Sequence, residues 1–86
     1  MNAKLMCTQA GVEALKMYVP KGCPFKDYTL YDLLADTWHM YSWMVTTKEI
    51  NVVDFLEMMI DKDAHIHCYG EDMIKVYKEA TEYDVQ

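Results

Sequence analysis

The fold is decided by residues 28–45, which read YTLYDLLADTWHMYSWMV. Thr29 is a good helix N-cap, and Asp32 at the third helical position places a carboxylate beside exposed amides at the positive end of the helix dipole. Tyr28 and Leu33 occupy the two positions of a hydrophobic staple. The apolar arc that follows contains Leu30, Leu33, Leu34, Thr37, Trp38, Met40, Tyr41, Met44 and Val45. An arc this wide predicts the central helix of the fold.

A shorter helix is predicted before this one. Thr8 is a plausible N-cap, and the helix should end near Tyr18 because Val19 precedes Pro20, which disfavours helical geometry. Residues 20–26 contain both prolines and one of the three glycines. Since their number matches ordinary helix connections, we expect a loop there.

A third helix has two competing starts. Thr46 and Glu49 have the spacing of a capping box, whereas Asn51 with Asp54 offers a second cap. We prefer Asn51, which leaves residues 48–50 as a turn. The residues predicted to face inward are Val52, Phe55, Leu56, Met59 and Ile60.

The last part of the chain is predicted to form one more helix. Residues 64–69 alternate with period two and could form a short extended piece, which Gly70 would end. Residues 71–81 then predict the last helix. The predicted fold class is all-α, a single domain over residues 1–86 built as a small bundle of three to four helices, with a short extended segment near residues 64–69 left open.

Composition and charge exclude several functional classes. Hydrophobic residues make up 52% of the 86 residues, which excludes intrinsic disorder. Fourteen acids against eight bases give a net charge of −6, and all eight bases are Lys. Without Arg, and with a charge that repels phosphate, direct nucleic-acid binding is disfavoured, whereas a larger protein with a basic surface is a suitable partner. Without a membrane-length apolar run or a signal-peptide pattern, we expect no membrane partner and a cytoplasmic location.

Cysteine and histidine usage raises the question of a metal. Three cysteines without a secretion signal favour free thiols that act as small buried hydrophobes, and a Cys7–Cys23 disulfide is left open. The soft ligands that zinc prefers are His39, His65, His67, Cys7, Cys23 and Cys68. They contain no Cys-x-x-Cys pair and would have to converge from four segments. We therefore expect no cofactor, although the sequence does not decide whether they bind a metal.

Catalytic motifs are also missing from the sequence. Ser42, the only serine, lies within a predicted helix and lacks a nucleophile elbow. The sequence contains no Gly-rich phosphate loop, and a chain of this length has little room for a substrate cleft beside its core. We expect a protein that is not an enzyme.

Two lines of polar residues remain once the core is assigned. The first stripe, on the second predicted helix, has positions i, i+4, i+7 and i+11 and consists of Asp32, Asp36, His39 and Trp43. The second stripe, on the third predicted helix, has positions i, i+3, i+4 and i+7 and consists of Asp54, Glu57, Met58 and Asp61. Carboxylates beside a large apolar residue suit a basic partner surface with apolar pockets.

The stripes predict a small acidic protein-binding module. Its most plausible function is inhibition, in which carboxylates occlude a basic nucleic-acid-binding surface and Trp43 or Met58 anchors the contact. In size and charge alone, the chain resembles antagonists of host nucleic-acid machinery encoded by viruses and mobile elements, including inhibitors of CRISPR nucleases. The resemblance implies action in the host cytoplasm. The alternatives are a small zinc-binding structural or regulatory domain and a helical oligomerisation domain, and a homodimer is left open.

Overall fold

Helices dominate the structure, which is a computed structural model. It describes residues 3–20, 27–62 and 64–85, with the side chains of these residues except 64–68 and 82–85. The elements in these ranges are β1 (Lys4–Met6), α1 (Gln9–Lys16), α2 (Leu30–Tyr41), a 3-10 helix (Ser42–Met44), β2 (Glu49–Asn51), α3 (Val52–Lys62) and α4 (Ala64–Val85). The prediction of a small, mainly helical domain is confirmed in this coarser form.

A two-stranded parallel sheet corrects the all-α prediction. The paired residues are Lys4 with Glu49, Leu5 with Ile50 and Met6 with Asn51, and the Lys4 amide also donates to the Lys48 carbonyl at 2.8 Å. The turn predicted at residues 48–50 is therefore wrong, because most of it belongs to β2. Each strand has only three residues and half-buries one side chain, Leu5 or Ile50. A strand this short is below the four to eight residues over which period-two alternation can be recognised.

The segment at residues 64–69 is helical, so the predicted extended piece is wrong. Helix α4 runs over 22 residues and passes through Gly70 without a break. Glycine inside a helix costs about 1 kcal/mol relative to alanine. Gly70 is buried, and α4 packs along both α1 and α3. This tertiary packing outweighs the local preference.

The central position in the fold belongs to α4, whereas the sequence predicted α2 there. Helix α4 packs extensively against α3 and α1 and less against α2. Trp38 of α2 meets Phe55 of α3 edge-on, with ring centroids 5.0 Å apart. The buried apolar core consists of Leu15, Leu30, Leu34, Val52, Phe55, Leu56, Met59, Met73 and Tyr77.

The predicted N-caps are confirmed. Thr8 Oγ1 accepts from the Gly11 amide at the start of α1. At the start of α2, Thr29 and Asp32 form a reciprocal capping box. Helix α3 begins at Val52, where the Asn51 side chain accepts from the Val53 amide at 2.8 Å. The helix starts therefore follow from local side-chain chemistry.

Helix ends agree less well with prediction. Helix α1 ends at Lys16, two residues before the predicted end. Helix α2 ends at Tyr41 and a 3-10 helix replaces the predicted continuation to Val45. Met40, which was placed in the apolar arc, is 61% exposed, because its position in α2 lies roughly 90° around the helix from the buried Leu30, Leu34 and Thr37.

A close contact joins the two ends of the described chain. The hydroxyl of Tyr77 accepts from the Thr8 amide at 2.8 Å. In the first turn of α1, Gly11 lies directly against the Tyr77 ring, and a Cβ at this position would overlap the ring carbons. Since Tyr77 is buried, glycine at position 11 is what allows α1 to approach α4 this closely.

Candidate functional site

The carboxylates of the second stripe point away from the core. Asp54, Glu57 and Asp61 are exposed, and the buried side chains of α3 are Val52, Phe55, Leu56 and Met59. At roughly 100° per residue, the three carboxylates lie within an arc of about 60° opposite the buried side. They extend over about 10 Å of helix axis, at 1.5 Å rise per residue. The predicted stripe is thus a continuous acidic line on the outside of α3.

These three carboxylates have no internal partners among the described residues. Within residues 3–20, 27–62 and 64–85, no described group forms a hydrogen bond or ion pair with the carboxylate of Asp54, Glu57 or Asp61. Pairing them with a basic partner would therefore disrupt no hydrogen bond or ion pair within the part of the chain that the structure describes.

Met58, the apolar member of the second stripe, lies at its edge. Its side chain is half-buried and packs against the core cluster. Only part of it is available to a partner, so it offers a smaller anchor than the sequence predicted.

The carboxylates of the first stripe are already engaged. Asp32 is half-buried, and its Oδ2 accepts from the amide and the hydroxyl of Thr29 at 3.0 and 3.1 Å. The Tyr28 hydroxyl donates to Asp36. Replacing either acid would remove a contact that supports the start of α2 or the segment before it. The structure thus distinguishes a first stripe whose carboxylates accept hydrogen bonds from a second stripe whose carboxylates have no such partner among the described residues.

The other members of the first stripe are exposed at the C-terminal end of α2. His39 is exposed in the last turn, and Trp43, in the 3-10 helix, is 76% exposed. Trp43 Nε1 donates to the Met40 carbonyl at 2.9 Å. Sequence reasoning missed Met40 as a surface residue. The available signal was its position four residues after Asp36 and three before Trp43.

A groove that the sequence did not indicate lies between the end of α1 and α4. Its volume is about 410 Å³, and its lining residues are Tyr18, Val19, Pro20, Asp72, Lys75, Val76 and Glu79. Met17, Tyr18 and Val19 are three consecutive exposed apolar residues. The sequence predicted that the first helix ends near Tyr18, whereas α1 ends at Lys16 and leaves Met17 and Tyr18 outside the helix.

The metal hypothesis is not tested by the described side chains. Among them, no group of three His, Cys, Asp or Glu side chains could hold a metal ion. Cys23 and the side chains of His65, His67 and Cys68 lie outside the described set. Zinc binding therefore remains a prediction.

Cys7 differs from the small buried hydrophobe expected of it. Its thiol is free and the residue is exposed, since it follows the end of β1 in an open connection. Partial desolvation of the sulfur nevertheless raises the pKa of the Cys7 thiol above its ordinary value. A raised pKa lowers the thiolate fraction and with it the reactivity at neutral pH.

Comparisons with known proteins supply no relative for these features. Within the described chain, no helix has the length and apolar character needed to cross a membrane. No protein-family model matches this chain, and no curated protein or solved structure is detectably similar to it.

Proposed function

We propose that this protein is an acidic protein-binding module whose second stripe covers a basic surface on a larger protein. The observation that carries the proposal is the outward line formed by Asp54, Glu57 and Asp61, which have no hydrogen-bond or ion-pair partner among the described residues. With a net charge of −6, the whole chain attracts a basic surface and steers its approach.

The charges favour fast association more than tight binding. An exposed ion pair contributes only about 0.2–1 kcal/mol, so three such pairs do not by themselves give a stable complex. Association should slow as salt rises, because screening acts over about 8 Å at physiological ionic strength. A stable complex therefore needs an apolar anchor in addition to the second stripe.

Occlusion of a nucleic-acid-binding surface is the proposed mechanism. Neighbouring carboxylates of the stripe are separated by roughly 4.5–6 Å along the helix axis, compared with a rise of about 3.4 Å along the duplex axis between successive phosphates of one DNA strand. The stripe would therefore match the negative charge of the phosphates but not their axial spacing. Size and charge support the narrower proposal of a virus- or mobile-element-encoded inhibitor of host nucleic-acid machinery, such as a CRISPR nuclease.

Charge-reversal variants test the proposal. Tagged wild-type protein, the variant Asp54→Lys/Glu57→Lys and the control Asp72→Lys/Glu79→Lys would each be used to capture partners from cells. Each double reversal adds four charges, so both variants change the net charge from −6 to −2. We expect wild type and control to retain a partner that the α3 variant loses. Added wild-type protein should then release a labelled oligonucleotide from that partner.

Three results would contradict the proposal. Equal capture by all three proteins would remove the role of the second stripe. A captured partner that keeps its oligonucleotide would refute occlusion, and recovery of only this chain would favour the oligomerisation alternative.

A further inference from the structure

The C-terminal end of α2 presents a second exposed feature, on a different helix from the second stripe. Trp43 is 76% exposed and Met40 61% exposed. Large apolar side chains at adjacent exposed positions are typical of contact sites, and Trp is the residue most enriched among those that dominate binding.

The Trp43 indole is held in place although it is exposed. Its Nε1 donates to the Met40 carbonyl at 2.9 Å, which ties the ring to the last turn of α2. Because its only polar group is already paired, the indole can offer a partner its ring surface but no hydrogen bond. A ring fixed in advance loses less conformational freedom on binding.

The segment of the chain that carries this indole is acidic, and its charge favours a cation. From Asp27 to Thr47 the chain contains three acids and neither Lys nor Arg. Asp36 lies one helical turn before Met40 on the same side of α2. The C-terminal end of α2 adds the negative end of a helix dipole, and the face of an indole ring attracts cations.

A contact of this type already exists within the protein. Lys16 Nζ lies 4.9 Å from the centroid of the Tyr31 ring. A second copy of this chain fits the exposed end of α2 less well. Twofold pairing would apply the same patch to itself and bring the Asp36 carboxylates of two acidic chains together.

We propose that Met40 and Trp43 form a platform that takes a Lys or Arg side chain of the partner, with the cation on the indole face and the alkyl part of the side chain against Met40. The inference rests on the proposed function, because it assumes a basic partner. It assigns to the exposed end of α2 the apolar anchor that the second stripe lacks.

The test uses two blocked peptides, tetra-arginine and its uncharged counterpart tetra-citrulline, with ¹⁵N-labelled protein at low salt. We expect tetra-arginine to shift the indole N–H signal of Trp43, and tetra-citrulline to leave it in place. The Trp38 signal should stay unchanged, since that ring packs against Phe55. Trp43→Ala should weaken tetra-arginine binding about 2- to 30-fold, the range of a cation–π contact from exposed to desolvated. Trp43→Phe should retain most of the affinity, and the exposed-site control Met17→Ala should retain all of it.

The outcomes separate this inference from the proposed function. If Asp54→Lys/Glu57→Lys loses the cellular partner but Trp43→Ala binds tetra-arginine normally, the platform is refuted and the proposed function stands. If only Trp43→Ala has an effect, the platform stands and the second stripe is refuted. Equal binding of both peptides would refute a cation site. A dimer in sedimentation velocity that Trp43→Ala converts to monomer would assign the patch to a second copy instead.

Discussion

Replacing Gly11 with alanine should destabilise the protein even though alanine is the better helix former. In an open helix the substitution would stabilise by about 1 kcal/mol. Here the new Cβ would overlap the ring of Tyr77, which is buried among the core residues and cannot move aside cheaply. Overpacking of this kind costs about 1–3 kcal/mol, and the buried aromatic ring places Gly11→Ala at the upper end. We expect a net loss of about 2 kcal/mol in the free energy of unfolding.

A double-mutant cycle tests whether overlap with the Tyr77 ring causes this loss of stability. In a Tyr77→Leu background the ring is gone, so Gly11→Ala should change sign and stabilise by up to about 1 kcal/mol. Glu13 is exposed in the same helix, so the difference in stability between Glu13→Ala and Glu13→Gly measures the helix propensity of alanine relative to glycine there. Urea unfolding followed by circular dichroism at 222 nm gives all the required free energies. If Gly11→Ala stabilises the wild type as much as it stabilises the Tyr77→Leu variant, the close approach of α1 to α4 is wrong.

Three further predictions concern the core, a helix cap and a thiol. Alanine substitutions at three fully buried core positions should each cost about 2–5 kcal/mol in urea unfolding, and losses under about 1 kcal/mol at all of them would contradict the packing; the positions are Leu34, Phe55 and Leu56. Thr29→Ala should cost about 0.5–2 kcal/mol, because it removes the hydroxyl half of the capping box, while Thr46→Ala at an exposed site outside the helices serves as control. Since desolvation disfavours its thiolate, Cys7 should react with iodoacetamide with a midpoint at higher pH than a cysteine in an unfolded peptide, as measured in a Cys23→Ser/Cys68→Ser background. An equal or lower midpoint would refute the desolvation of this sulfur.

The parts of the fold that depend on neighbouring residues could be predicted. The Thr8, Thr29 and Asn51 caps act within three residues, so the sequence identifies each helix start. The β1–β2 sheet could not be predicted in this way, because its strands are short and lie far apart in the chain. Gly70 was misleading for a related reason, since only the packing of α4 explains why the helix continues through it.

The sequence predicted where the candidate site residues lie on their helices, but not which of their carboxylates already have hydrogen-bond partners. Helical periodicity alone placed Asp54, Glu57 and Asp61 on one line. Whether a carboxylate is free depends on spatial contacts, and the donation from Tyr28 to Asp36 has no sequence signature. The exposure of Trp43 agrees with its place in the first stripe, although Trp43 lies in the 3-10 helix that follows the end of α2 at Tyr41.

The parallel pairing of β1 with β2 has a consequence during synthesis on the ribosome. Met6 precedes its partner Asn51 by 45 positions, so at about 5–20 residues per second β1 waits roughly 2–9 seconds for β2 to be made. Thr8 waits longer still, because its acceptor Tyr77 comes 69 positions later. Until then the strand edge of β1 and the apolar Leu5 lack the partner strand that pairs with them in the folded protein. Codons that slow translation between positions 6 and 51 should therefore increase aggregation of this protein in the cell without changing the stability of the finished chain.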